Sequence, residues 1–375
     1  MADLSVELAV LAGFATDLAE LKSCSISNTS HLLPAVALPT GSTGLMAALE
    51  ASIERFGNEV GAALDAEITT IGNLCTSLTT TAASFESTDE AISANISNAG
   101  SDLSPAGTQS TSAASQGVSR FSALQLPSLP GVSDNPYTLR QLVETAIGLL
   151  AVYDDRLNAA IGIRPTVDLL SPLVADWESL QPIGKRIALL GINDYVTSEN
   201  LINGTNWLQD SWSGEAARNF AERSNNLGQA VGARSLDFDA VSKIVENGGA
   251  YLERMVYNQV ADICDKVLHP MTLYGATFPL GAWAPHINNP IREPHKSELL
   301  AALNALESSI TLRQGQIQTM VDKLSAALDY VPGRSIPTFI STEFDLPDKI
   351  TIDLGARKFG YGDNMWWEDR IDSLF

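Results

Sequence analysis

The chain has 375 residues, with 44 Asp and Glu against 23 Lys and Arg, a formal net charge of −21. That balance disfavours general nucleic-acid or anionic-membrane binding, where attraction to phosphate carries the affinity. Hydrophobic residues make up 45% and aromatics only 7%, and an apolar content rich in Ala and Leu favours helix over sheet around a sizeable core.

The chain opens MADLSVELAVLAGFATDLAELK, with Asp3 and Glu7 ahead of the first basic residue, Lys22. Its apolar run Leu8–Ala15 is well short of the ~20 residues that span a bilayer, and a Sec leader needs a basic start. The expectation is a chain without a transmembrane segment or conventional leader, which leaves export by another route open. Leu8, Leu11, Phe14, Leu18 and Leu21 recur at helical spacing. A connector with Pro34 and Pro39 follows. From Leu45 to Phe85 apolar residues (Leu49, Ile53, Phe56, Val60, Leu64, Ile68, Ile71 among them) return every three or four positions, a helical stripe close to a heptad seam. Residues 1–97 therefore read as a helical hairpin.

A turn centred near residue 38 sets Cys24 opposite about residue 52 and leaves Cys75 about 35 Å further along at 1.5 Å per residue, too far for a bridge. Cys24, Cys75 and Cys264 form no CxxC and are odd in number, so they read as small core thiols.

Residues 98–136 are dominated by Ser, Thr, Gly and Pro and read as a flexible linker, with Phe121, Leu124, Leu126 and Leu129 available to anchor part of it. Helical patterns resume over 137–268. Pro172 and Pro182 within 168–204 predict a late helix start or a kink, and Gly248-Gly249 a possible interruption. Residues 269–294 hold five prolines and read as irregular. Ser297–Tyr330 is again helical, and ISTEF and KITID in the tail alternate like short strands. The expected fold is mainly α, an elongated set of helical hairpins or bundle with a small irregular or β-containing C-terminal part spanning 269–375.

Between two long helical patterns stands Trp212-Ser213-Gly214, followed by Glu215-Ala216-Ala217-Arg218-Asn219-Phe220. A tight helix–helix turn needs a residue without Cβ, here Gly214. Ser213 is placed to cap the next helix, Glu215 suits its dipole, and the Trp212 ring fits as a plug for the hairpin end. In this setting the sequence resembles the WxG-motif (ESAT-like) superfamily of helical hairpins exported by type VII (ESX) secretion systems, in a larger two-hairpin actinobacterial form. The resemblance covers about 166–268 and, more faintly, the first hairpin, which lacks the motif.

Members commonly carry Tyr-x-x-x-Asp/Glu after a second helix as an export signal. Phe85-x-x-x-Asp89 has that spacing with Phe in place of Tyr, and an i,i+4 pair shares one helix face. Tyr195-x-x-x-Glu199 matches the letters but precedes the turn. The resemblance implies a secreted or cell-surface, non-enzymatic effector, assembly component or export partner, cytoplasmic before export. Its implied partners are a type VII secretion ATPase or chaperone and a co-secreted hairpin or a second copy. A toxin with its activity in 270–375 and an intracellular helical scaffold are the alternatives. No GxSxG, HExxH, P-loop or kinase motif occurs. His269, His286 and His295 read as loop residues, and Asp345, Asp348, Asp353 and Asp363 as solvated. No catalytic, cofactor or metal residue is assigned.

Overall fold

The computed structural model describes residues 6–100, 118–134 and 138–331 and the strands Arg357–Phe359 and Trp366–Glu368. The side chains of Asp89, Glu90, 92–100 and those two strands lie outside the description. The fold is mainly α. Its principal helices are α1 (Leu8–Leu32), α2 (Glu50–Gly100), α3 (Leu139–Leu150), α4 (Asp154–Ile161), α5 (Leu180–Gln209) and α6 (Glu215–Leu268), with a short α7 (Leu280–Trp283) and a long α8 (His295–Leu328) after them. Among the described residues no helix is long and apolar enough to cross a membrane.

Two compact units emerge, each drawn from separate stretches of chain: 1–33, 60–131 and 189–239 in the first, 34–59, 132–188 and 240–375 in the second. They do not coincide with the four consecutive segments read from composition, because α2, α5 and α6 each contribute to both.

In the first unit, four helical stretches surround one core. Leu11, Phe14 and Leu18 of α1 meet Ile71, Leu74 and Leu78 of α2, Leu201 and Leu208 of α5, and Phe220 of α6. The pairing of α1 with α2 differs from the sequence expectation. Cys75 Sγ–H donates to the Ala15 carbonyl (3.2 Å), and Gly72 faces Lys22. The turn is thus centred well beyond residue 38, because the connector adds short helical turns at Leu33–Ala35 and Met46–Leu49. Cys24, two residues beyond Lys22, consequently lies near the level of Gly72. All three cysteines are free thiols, and burial pushes the Cys264 thiol up to about 12, so it is inert at neutral pH.

The described part of the presumed linker is pinned. Ser119 N–H donates to the Ala9 carbonyl (3.0 Å), the Asp17 carboxylate accepts from Phe121 N–H (2.9 Å) and from Arg120, and Phe121 is buried. Asn200 accepts from Gln125 N–H (3.0 Å) and donates to its carbonyl (2.7 Å). Asn28 donates to the Pro127 carbonyl (3.0 Å). An extended segment without sheet partners has its backbone groups satisfied by a carbonyl of α1 and by side chains of α1 and α5 instead, which composition alone does not reveal. Residues 101–117 lie outside the described residues.

In the second unit α5 starts late, as expected: Pro182 sits in its first turn, where a missing N–H costs nothing, and Pro172 falls in a separate short turn, Ser171–Leu173. Gly248-Gly249 do not interrupt α6. A Cβ at Gly249 would lie 2.7 Å from Leu180 Cβ, and one at Gly248 2.6 Å from Leu324 Cδ2, so these glycines allow close helix approach rather than a break. Glu178 is buried and accepts from Thr138 and Leu139 N–H (3.0 and 2.8 Å) at the start of α3.

The Pro-rich segment is partly ordered into an antiparallel hairpin, β1 (Pro270–Leu273) with β2 (Ala276–Pro279), turned through Tyr274 and Gly275, both at positive φ. In the tail β3 (Arg357–Phe359) pairs with β4 (Trp366–Glu368). The ISTEF and KITID stretches and Asp345, Asp348, Asp353 and Asp363 lie outside the described residues.

Candidate interaction site

The Trp212-Ser213-Gly214 turn is built from both sides. α5 ends at Gln209, and Ser211 N–H still closes a short turn onto the Leu208 carbonyl (3.1 Å). Gly214 then adopts φ +115, a region open essentially to glycine. Its carbonyl accepts from Arg218 N–H (3.1 Å). Gly214 stands immediately before α6, which begins at Glu215. The residues just before α1 clamp the turn: Val6 forms an isolated antiparallel bridge with Trp212, and Glu7 N–H donates to the Ser211 carbonyl (3.1 Å).

Trp212 is 4% exposed. Its ring centroid is 5.7 Å from Phe220, Phe220 is 6.3 Å from Phe14, Phe14 is 6.2 Å from Trp207, and Trp207 is 5.8 Å from Phe121. These tilted and edge-on contacts link α1, α5, α6 and the pinned segment in one aromatic chain. Phe85 is half-buried and packs against the same core cluster. The turn and the aromatic of the candidate export signal, distant in sequence, thus meet on one hydrophobic cluster. Asp89 follows on the same helix, and its side chain lies outside the described residues.

Beside the turn runs a groove of about 630 Å³ between α2 and α6. Thr70, Asn73, Ser77 and Thr81 form the α2 wall, and Ala216, Asn219, Arg223 and Asn226 the α6 wall. Leu74, Trp212, Phe220 and Leu227 form its apolar floor. The lining contains one guanidinium, amides and hydroxyls, and no carboxylate, His or Cys. Such a surface recognises by hydrogen bonds, one positive charge and apolar contact.

Sequence reading missed the buried charges deeper in this unit. Arg234 Nε donates to Asp194 Oδ2 at 2.6 Å, and its Nη2 donates to Glu67 Oε2. All three residues are more than nine-tenths buried. Two carboxylates share one guanidinium, and Glu67 Oε1 and Asp194 Oδ1 have no partner among the described residues. Burial, reinforced by the Asp194 charge and opposed by Arg234, holds Glu67 up at about 7, and burial raises Asp194 as well.

Glu67 therefore keeps a proton in the native state that the unfolded chain has already lost above its ordinary value of 4.5. Its stabilising contribution is fully present below that value and disappears as pH rises through about 7. Thermal melts should accordingly show the melting temperature falling from pH 5 to pH 8 (~pH values chosen to bracket the shift). Glu67→Gln should flatten that fall. An unchanged slope in the variant would assign the pH dependence to other groups.

His286 lies against Trp283 and His295 against Tyr274 (5.3 and 4.6 Å between ring centroids). Among the described residues no group of three or more His, Cys, Asp or Glu is placed to hold a metal. Compared with family models, curated proteins and solved structures, the chain gives no match.

Proposed function

We propose that the chain is a substrate of a type VII (ESX) secretion system, acting outside the cytoplasm as a non-enzymatic effector, assembly component or export partner. The observation that carries this reading is the Trp212-x-Gly214 turn between two long helices, with Phe85 packed on the same hydrophobic cluster as Trp212. A receptor approaching this end of the first unit meets the turn and the α2 segment Phe85–Asp89 together, although they are distant in sequence. The secretion ATPase or an export chaperone is the partner of that surface, and a co-secreted hairpin or a second copy of the chain is its companion in transit.

The signal is tested by substitution in a secreting host. Asp89→Ala should lower or abolish appearance of the chain in the culture medium, with an unchanged melting temperature of the purified variant separating loss of the signal from loss of the fold. Phe85→Tyr should be tolerated, because it adds only a hydroxyl. Normal export of Asp89→Ala removes the signal assignment and leaves the hairpin reading to stand on the turn.

A further inference from the structure

We propose that the groove between α2 and α6 is a docking site for an acidic amphipathic helix of a protein partner. This proposal does not rest on the export reading. Lining residues recur every three or four positions from Thr70 to Thr81 and from Ala216 to Leu227, about 16 Å along each helix at 1.5 Å per residue. Three turns of polar wall over an apolar floor match the i, i+4, i+7 anchors of a helix laid in a groove. Asn73, Ser77, Asn219 and Asn226 are exposed, so the groove is open along its walls rather than closed around a small ligand.

Arg223 fixes the charge of the occupant. Arg223 is exposed and, among the described residues, makes no ion pair, and no carboxylate lines the groove of a chain whose net charge is −21. Trp212 belongs to the apolar floor, where its ring offers contact area to an apolar anchor. An exposed guanidinium without an ion pair, on a groove without carboxylates, calls for an acceptor, and a helix bearing Asp or Glu supplies a carboxylate that complements the charge. A second copy brings another −21 to the encounter, which opposes self-association at long range. A partner of lower negative charge with one acidic anchor satisfies the groove without that repulsion.

The test uses the full chain and a labelled, lactam-bridged helical peptide of about four turns, with Leu at i and i+4 and Glu at i+7. Fluorescence anisotropy at low salt should show saturable binding. Arg223→Glu should weaken it about tenfold or more, and replacing the peptide's Glu with Lys should recover binding to that variant. No saturable binding, or binding indifferent to residue 223, overturns the proposal. Displacement by free succinate as effective as by unlabelled peptide makes the groove a small-carboxylate pocket instead. Self-association of the wild-type chain that Arg223→Glu abolishes in sedimentation makes the occupant a second copy. Either result also overturns the proposal.

Discussion

Replacing Arg234 by Met is expected to destabilise the fold by about 3–5 kcal/mol, the cost of leaving buried charges without their partner. The guanidinium bridges Glu67 on α2 and Asp194 on α5, and each carboxylate already has one oxygen without a partner. Without Arg234 the two acids face each other inside a core, and relief comes only by taking up protons. The loss should therefore be larger at pH 8 than at pH 5 (~pH values on either side of the Glu67 shift), measured by urea unfolding at both. Arg234→Lys should rescue little, because an ammonium lacks the planar fork that reaches two carboxylates. The triple variant Glu67→Gln, Asp194→Asn, Arg234→Met should recover much of the stability, since a buried ionic group replaced as a whole is often near neutral. A loss below about 1 kcal/mol for Arg234→Met would place the three groups in contact with water.

The turn carries the second large effect. Trp212→Ala removes a ring that is 4% exposed and packed on Phe220, and truncating a buried Trp costs about 3–5 kcal/mol. Gly214→Val forces a β-branched residue to φ +115, a conformation that costs about 1–3 kcal/mol where the surroundings impose it. The two variants share one turn, so their double variant should fall short of the sum. Melting temperatures unchanged by both would show that the turn does not hold the hairpin.

The helices were legible because leucines and valines return every three or four residues. The turn was legible because Trp and Gly at that spacing mark the place where one helical pattern stops and another starts. The buried charges were not, although their signal was present. Val60, Leu64, Ile71, Leu74 and Leu78 are all buried at alternating steps, and Glu67, not the half-buried Ile68, fills the vacant step between Leu64 and Ile71. Asp194 likewise sits one step after Leu190 and two before Leu201, and Arg234 lies between Val231 and Phe238.

Each residue alone reads as a solvated helix position. Their opposite charges on seam positions become meaningful only when the three helices are known to be neighbours. The groove was hidden for the same reason. Thr, Ser and Asn on the outer faces of α2 and α6 become walls only through lateral pairing, which periodicity does not specify. Composition alone reads segment 118–129 as linker because its anchors, Asp17, Asn28 and Asn200, lie in distant helices.

Fractionation of cells with and without a functional type VII secretion ATPase tests the central claim most directly. The chain should appear in the culture medium or cell-surface fraction when the ATPase is active and accumulate in the cytosol when it is not, with a cytosolic marker confined to the cytosol in both. The same distribution in the two strains would contradict the proposal that this chain is a type VII substrate.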